Sequence, residues 1–285
     1  MKVISTVVEL QQQIKKAQLS PVGYVATMGA LHAGHLSLVT SAVKQCPLVV
    51  ISIFVNPTQF NDKNDLKNYP RTLDDDLKLL VEVLRESDIV FAPDEKEMYP
   101  EEDKREFHFG NLENVMEAPL RPGHFNGVAQ IVSKFFEIIN PDFAFFGQKD
   151  FQQVAVVKEL VRQTGSKIKI VANPIIREKD GLAMSSRNRL LDPKIRKQAP
   201  IIFKTISSAS SMISEHDIPE IKSFVQNSIN SIDGFNVEYF EIVDDTELFP
   251  VQTRDAIKKG KRYFGCIAVH AGKIRLIDNI EIGLV

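Results

Sequence analysis

The fold is decided by a stretch near the N-terminus that reads VGYVATMGALHAGH from Val22 to His35. Its first part, residues 22–27, predicts a short buried strand, and a helix is predicted over residues 34–44. A turn at residues 28 and 29 joins the two. In parallel α/β sheets, a strand that turns through glycine into a helix brings the helix N-terminus to a position where it can bind phosphate. The sequence therefore predicts a nucleotide site at this turn.

The rest of the first 176 residues repeats this alternation of short apolar strands and helices. Further strands are predicted at 48–55, 88–92, 142–146 and 167–172, and further helices at 72–84, 127–139 and 151–163. The helix that opens at Thr72 has Asp75 three residues on, which suggests a capping box. Apolar strands that alternate with helices predict a parallel sheet covered on both faces. Residues 1–176 are therefore predicted to form a Rossmann-like, doubly wound domain.

The pattern changes after residue 176. Two helical stretches, 193–214 and 218–230, come before strands at 235–243, 262–270 and 273–278. Helices followed by antiparallel strands indicate a smaller α+β domain over residues 177–285. The predicted fold class is α/β, a Rossmann-like doubly wound parallel sheet with this smaller C-terminal α+β domain.

Composition and charge exclude several classes of function. The chain has 285 residues, 44% hydrophobic and 25% charged, with a net charge of −2, so it has no global positive field to attract nucleic acid or an anionic membrane. Its longest nearly apolar run, residues 48–55, is far short of the ~20 needed to span a bilayer. Cys46 and Cys266 have apolar neighbours, which fits reduced thiols, and the N-terminus lacks the pattern of a secretory signal. We expect a cytoplasmic protein that binds neither nucleic acid nor membranes.

The two histidines of the first motif, His32 and His35, lie three residues apart at the predicted helix start. Free backbone N–H groups and the helix dipole already favour an anion there. Imidazoles at that position could donate hydrogen bonds to phosphate oxygens and offset the charge that builds up on leaving pyrophosphate. A pair of surface histidines is the alternative. The position between a strand and a helix favours the nucleotide site.

A second motif, residues 184–187, reads MSSR and follows a polar segment that contains Gly181. Two hydroxyls and a guanidinium suit the outer phosphates of ATP, and the segment could close over bound nucleotide as a loop. The same residues also suit a simple turn. Together with the two histidines, the motif resembles the two-part signature of the class I nucleotidyltransferase-like, adenylate-forming enzymes.

A third motif, residues 146–150, reads FGQKD directly after a predicted strand, where open α/β sheets bind their ligands. Lys149 could reach the α-phosphate and Asp150 a ribose hydroxyl, although Asp150 would also serve as a helix N-cap. Gln59 follows another strand end and Gln153 lies on the next helix. Two amides could bind the hydroxyl and carboxylate of a small polar acid, but spacing alone does not establish that they converge.

Five motifs in order carry a specific resemblance. They read TMGALHAGH at 27–35, FVNPTQF at 54–60, RPGHFNGV at 121–128, FGQKDFQQ at 146–153 and DGLAMSSRN at 180–188. Over essentially the whole chain, including RLIDN at 275–279, the sequence resembles the pantothenate synthetase (pantoate–β-alanine ligase) family. That family belongs to the adenylate-forming superfamily named above.

The resemblance implies a reaction and its partners. ATP, with Mg²⁺ held mainly by phosphates and water, would activate pantoate as pantoyl adenylate with release of pyrophosphate. β-Alanine would then attack to give pantothenate and AMP. The resemblance also implies that residues 1–176 bind both nucleotide and pantoate, that the C-terminal domain acts partly as a lid, and that the protein is a homodimer.

The resemblance also implies site residues. His35 matches the proton donor, His32 its phosphate-contacting neighbour, and Lys149 a further catalytic group, while Gln59 and Gln153 match the residues that bind pantoate and β-alanine. No dedicated set of metal ligands is implied. The implied ATP site comprises Met28, Gly29, Ala30, Leu31, His32, Ala33, Gly34, His35, Gly147, Gln148, Lys149, Asp150, Ile176, Met184, Ser185, Ser186 and Arg187. In one departure, Ala26 stands where the family usually has proline, so the turn into the helix is less pre-set.

Three alternatives stay open on the sequence alone. One is a nucleotidyltransferase of the same superfamily that makes a nucleotide cofactor, and another is a catalytically inactive nucleotide-binding sensor. A tRNA-charging enzyme is the third, and the near-neutral charge disfavours it because phosphate recognition dominates the affinity for tRNA.

Overall fold

The computed structural model describes residues 1–61 and 63–283. Within these residues the larger sheet has six strands, all paired in parallel, in the order β1-β4-β3-β2-β5-β6. The strands are β1 Lys2–Ile4, β2 Val22–Thr27, β3 Leu48–Ile53, β4 Ile89–Phe91, β5 Phe143–Gly147 and β6 Lys169–Asn173. The predicted parallel sheet is confirmed, and the ends of the five predicted strands agree with the structure to within two residues.

Helices cover the larger sheet, and the burial of its strands explains their apolar sequence. The helices of this part are α1 Val7–Ala17, α2 Ala33–Gln45, α3 Lys63–Asn68, α4 Leu73–Val81, α5 Glu95–Met98, α6 Glu117–Leu120, α7 His124–Ile139 and α8 Phe151–Gln163. In β3, Leu48 and Val50 face one core while Val49 and Ile51 face another on the opposite side of the sheet. A strand buried on both faces must be apolar throughout, as this one is.

The smaller sheet is antiparallel, as predicted. Its strands, in the order β7-β8-β9, are β7 Phe235–Asp244, β8 Tyr263–Ala271 and β9 Ile274–Glu281. Three helices, α9 Pro193–Gln198, α10 Ile201–Met212 and α11 Ile218–Asn230, precede it. The helical stretch predicted at 193–214 is wrong in one respect: it is broken before α10 at Pro200, which has no N–H to donate into a continuous helix. The last two residues of the predicted 177–285 domain lie outside the described residues.

The smaller sheet packs against the larger one. Phe264 and Cys266 of β8 belong to the same apolar core as β2, β5 and α8. The Phe264 ring lies 4.5 Å from that of Phe151 at the start of α8. Cys46 and Cys266 are both buried and free. This packing brings β9 to the side of the parallel sheet that carries the polar motifs.

The prediction that Asp75 closes a capping box on Thr72 is wrong. The Thr72 side chain makes no capping hydrogen bond, and Asp75 is exposed and pairs with Lys78 at 2.8 Å. The neighbouring Asp76 is the buried residue of this run. It lies on the same helix face as Leu80, and a carboxylate on a buried face must have polar partners.

Candidate active site

The polar motifs meet where the winding of the sheet changes direction. From β2 the chain continues through β3 and β4 to one side, whereas β5 and β6 lie on the other side. The crevice beyond the carboxyl ends of β2 and β5 is thus the topological switch point, where open α/β sheets bind ligands. The motif at 27–35 follows β2 and the motif at 146–150 includes the end of β5.

The turn after β2 is held by a residue that the sequence analysis missed. Gly29 and Ala30 both have positive φ, at 79° and 50°. The buried Asp76 carboxylate accepts hydrogen bonds from Ala30 N at 3.0 Å and from Leu31 N at 2.7 Å. An acidic residue on the apolar face of α4 is the sequence feature that could have indicated this role of Asp76. Asp76 therefore fixes the path by which β2 enters α2.

The two histidines cap the helix that they begin. The Nδ1 atom of His32 accepts from Gly34 N at 3.1 Å, and the Nδ1 atom of His35 accepts from His32 N at 3.3 Å. Their rings lie 4.1 Å apart between centroids, and a Cβ on Gly34 would stand only 2.7 Å from the His32 ring. An imidazole that accepts at Nδ1 carries its proton on Nε2 when neutral. Each ring therefore has one N–H left to donate, at Nε2.

Burial keeps both histidines neutral. It lowers the pKa of His32 to about 4, with Lys149 adding to the effect. It lowers the pKa of His35 to about 3, with His32 and Lys149 adding to the effect. Near pH 7 the pair is therefore suited to donating neutral hydrogen bonds to an oxyanion, and the positive charge of the site comes from lysine and arginine.

Most of the predicted nucleotide residues line one cleft of about 170 Å³. Those predicted residues are Met28, His32, Gly34, His35, Gly147, Lys149, Asp150, Ile176, Met184, Ser185, Ser186 and Arg187. The structure thus brings together three motifs that are up to 160 positions apart in the chain.

Five predicted nucleotide residues do not line this cleft. Gly29, Ala30 and Leu31 form the turn in which Ala30 N and Leu31 N donate to Asp76, and Ala33 is exposed on the first turn of α2. Gln148 lines a separate small cavity, with Phe151 and Arg262 among its walls. Asp150 occupies the N-cap position of α8, but its side chain makes no capping hydrogen bond.

The loop that carries the MSSR motif is tied to the smaller sheet. At its base Arg177 forms a bidentate ion pair with the buried Asp278 of β9, at 2.6 and 2.9 Å. The next residue, Asn279, donates to the carbonyl oxygens of Gln148 and Lys149 at 2.9 and 3.1 Å. These contacts link β9 to both the loop and the end of β5. None of them was predicted, because pairing across 100 positions of chain leaves no local pattern.

The two predicted glutamines do converge. Gln59 and Gln153 line a second cavity of about 160 Å³, whose other walls are largely apolar. The Nε2 of Gln59 lies 3.1 Å from the Met28 sulfur, and its Oε1 accepts from Asn56 at 3.2 Å. This cavity and the nucleotide cleft share Ala26, Met28, His35, Tyr69, Phe146, Asp150 and Gln153. A small acid bound by the glutamines would therefore lie next to a nucleotide in the cleft.

The motif RPGHFNGV, to which the sequence analysis gave no role, positions Gln59. His124 donates from Nδ1 to the Gln59 carbonyl at 2.7 Å. The Gly127 carbonyl accepts from Asn56 Nδ2 at 3.1 Å. A Cβ on Gly127 would overlap the Thr58 carbonyl, so glycine lets α7 pack directly on this segment.

Comparison with known families decides the relationship. The model of the family Pantoate-beta-alanine ligase matches residues 2–281. The chain belongs to the pantoate–β-alanine ligase family. It is 50% identical over 282 residues to the pantothenate synthetase of Azobacteroides pseudotrichonymphae, covering 98% of this chain and 99% of that one. It is 49% identical over 284 residues to that of Bacteroides thetaiotaomicron, covering 99% of both chains.

Solved structures of pantoate–β-alanine ligases have the same fold. The pantothenate synthetase of Thermus thermophilus superposes with a TM-score of 0.90 at 38% identity, over 100% of both chains. The ligase of Francisella tularensis, solved with beta-gamma ATP and β-alanine, superposes with a TM-score of 0.75 at 31% identity, over 98% of this chain and 97% of that one. The predicted family, fold class and enzyme class are confirmed, and a cofactor-making nucleotidyltransferase is not favoured. Of the described helices, none is long and apolar enough to cross a membrane.

Proposed function

We propose that this protein condenses pantoate with β-alanine, using ATP, through a pantoyl-adenylate intermediate. The observation that carries the proposal is the shared wall of the nucleotide cleft and the glutamine cavity, which includes His35, Asp150 and Gln153. An acid held by Gln59 and Gln153 would present its carboxylate to the α-phosphate of ATP. The names of the relatives and the ligands of the Francisella tularensis ligase support the same reaction.

In the first step a pantoate carboxylate oxygen attacks the α-phosphorus, and pyrophosphate leaves. We propose that His32 and His35 donate their Nε2–H groups to the departing phosphates, while Lys149 supplies positive charge. Ser185, Ser186 and Arg187 would bind the outer phosphates. Such donors are most effective when fixed in advance, and the histidine capping contacts fix both rings.

In the second step the β-alanine amine attacks the acyl carbon, forming the C–N bond as the bond to AMP breaks. AMP is a far better leaving group than a carboxylate oxygen, so adenylation turns one difficult condensation into two easier steps. The protein contributes mainly by holding the reacting atoms in line.

We further propose that Mg²⁺ accompanies ATP and is bound mainly by phosphates and water. The described residues include no group of three or more His, Cys, Asp or Glu side chains arranged to hold a metal. Among them, Asp150 is the one carboxylate that lines the nucleotide cleft. Such a site fits Mg²⁺, which keeps several waters and binds through one or two carboxylates and substrate phosphates.

Further proposals concern the roles of the two domains, the oligomeric state and the cellular location. We propose that residues 1–176 bind nucleotide and pantoate, and that residues 177–285 act partly as a lid that carries the MSSR loop. The bidentate Arg177–Asp278 ion pair supports the lid, since the loop would move together with β9. We also propose a cytoplasmic homodimer on the basis of the family resemblance. Sedimentation velocity would report the dimer.

The experiment that tests this function is a product assay with each substrate left out in turn. Pantothenate, AMP and pyrophosphate should form in equal amounts when ATP, Mg²⁺, pantoate and β-alanine are all present. ADP and phosphate in place of AMP and pyrophosphate would contradict an adenylate intermediate.

A further inference from the structure

A third cavity opens beside the two already described. Two adjoining spaces, of about 40 and 440 Å³, share Glu117, Arg121, Lys149, Asp150 and Asp278 as walls. The larger space shares Lys149, Asp150, Ser185 and Arg187 with the nucleotide cleft, and the smaller one shares Lys149, Asp150 and Gln153, so the third cavity adjoins that cleft. If ATP and pantoate fill the first two spaces, the third substrate reaches the reacting carbon from here.

Most charged groups of this cavity already have strong partners. The Glu117 carboxylate accepts from both terminal nitrogens of Arg275, at 2.8 and 2.9 Å, and from the Tyr239 hydroxyl at 2.6 Å. Asp278 is held by Arg177 through its bidentate ion pair. These residues form the walls of the cavity, and their charges are neutralised within the protein.

Arg121 is different. Among the described residues its only ion pair is with Glu117, at 3.9 Å, and its side chain is 29% exposed. Burial lowers its pKa, and the nearby cations Arg187 and Arg275 add to the effect. A guanidinium has five N–H donors, and here Glu117 is committed to Arg275. Arg121 is therefore a half-buried cation with donors directed at no strong internal partner.

The free charges of the cavity suit a zwitterion. Asp150 is exposed, and its side chain forms no ion pair with any described residue. The cavity thus offers an unpaired carboxylate at the junction with the nucleotide cleft and an under-paired guanidinium, and the amines of Lys149 and Lys273 also form no ion pair with any described residue. An amino acid carries one positive and one negative group, and it would match the charges of both Asp150 and Arg121.

From these observations we infer that Arg121 binds the carboxylate of β-alanine and selects for amines that carry one. The inference rests on the proposed function. It assigns a specificity role to the first residue of the RPGHFNGV motif, three residues before His124, which holds Gln59. The substrate amine would then lie on the side of Lys149 and Asp150, towards the adenylate.

The test compares β-alanine with β-alaninamide, which lacks the negative charge, on the wild type and on Arg121→Met. A charge-assisted bidentate contact corresponds to roughly a 10–100-fold preference, so the wild type should favour β-alanine by about that factor in kcat/KM. Arg121→Met should raise the KM for β-alanine by a similar factor and use both amines about equally. Arg121→Lys keeps the charge without the fork and should show an intermediate preference. Arg254→Met, which removes an exposed arginine, is the matched control.

A purely structural role for Arg121 would lower activity with both amines and leave their ratio unchanged, which would overturn the inference. So would a wild type that makes pantothenate without preferring β-alanine over its amide. Pantoate-dependent exchange of pyrophosphate into ATP, measured on the same preparations, separates a failure of the proposed function from a failure of the role of Arg121. If the wild type lacks this exchange, the proposed function fails. If exchange is intact and the preference is absent, only the role of Arg121 fails.

Discussion

The Nδ1 atom of His35 accepts the backbone N–H of His32, so one catalytic candidate positions the other. The contact closes a capping box in which both side chains are histidines, and it leaves both Nε2–H groups free to donate. A helix N-terminus usually fills its capping positions with Ser, Asp or Glu side chains. Here the residues that would contact phosphate do the capping, so catalysis and helix geometry depend on the same pair.

Replacing His35 should therefore slow adenylation strongly. His35→Ala removes one fixed donor, and the loss of such a donor typically costs roughly 10²–10³-fold in rate, with a smaller effect on ATP affinity. His35→Asn should recover part of the rate if a neutral hydrogen bond is what matters. Stopped-flow measurement of pyrophosphate release would give these rates. Equal damage to adenylation and to the reaction of pre-formed pantoyl adenylate with β-alanine would show that the residue is structural.

Buried histidines should make the protein less stable as the pH falls. Burial lowers the pKa of His124 to about 4, and the charge of Arg121 adds to the effect. In the unfolded chain a histidine titrates near pH ~6.5, so between these values the unfolded state binds more protons than the folded state. Stability from this group is complete above about pH 7 and declines as the pH falls towards 4.

Urea unfolding at pH 7.5 and at pH 5 would test this effect. The wild type should lose stability at the lower pH, and His124→Gln should lose about 1–2 kcal/mol less over the same interval. Val128→Ala, at a buried residue of the same helix that does not titrate, should cost the same at both pH values. An identical pH dependence in the wild type and His124→Gln would contradict the lowered pKa.

The paired carboxylates of α4 offer a matched comparison. Asp76→Asn puts an amide N–H against the N–H groups of Ala30 or Leu31, and should cost about 1–3 kcal/mol of unfolding free energy and weaken ATP binding. Asp75→Asn changes the same charge at an exposed site and should have little effect on either. Calorimetry of unfolding and of ATP binding gives both quantities. Similar behaviour of the two variants would mean that the turn does not depend on Asp76.

Substitution of Gln59 or Gln153 should weaken the binding or adenylation of pantoate but not the binding of ATP. Gln59→Ala or Gln153→Ala should weaken pantoate binding or adenylation by about 1–3 kcal/mol, the cost of leaving polar groups of the ligand unpaired. ATP affinity without pantoate should barely change, because Gln59 does not line the nucleotide cleft and Gln153 lies at the wall that the cleft shares with the glutamine cavity. Titration of each variant with ATP and with pantoate separates the two. A parallel loss of ATP affinity would contradict an acid-specific role.

The sequence predicted the parts of the site that have a local pattern. The nucleotide motifs at 27–35 and 146–150 stand at strand ends, and the crevice at the switch point follows from chain order, so their meeting could be expected. The roles of Asp76 and the Arg177–Asp278 pair could not, because each depends on a partner in another element. The capping error at Asp75 has the same origin. Asp75 and Asp76 are adjacent in α4 but lie on different faces of the helix. Only the packing of the helix determines which of the two carboxylates is buried.

The measurement that tests the central claim most directly is isotope exchange between pyrophosphate and ATP. Adenylation precedes amine attack in the proposed reaction, so exchange should require Mg²⁺ and pantoate and should proceed without β-alanine. The shared wall of the nucleotide cleft and the glutamine cavity predicts this dependence. Exchange in the absence of pantoate, or exchange that appears only when β-alanine is added, would contradict it.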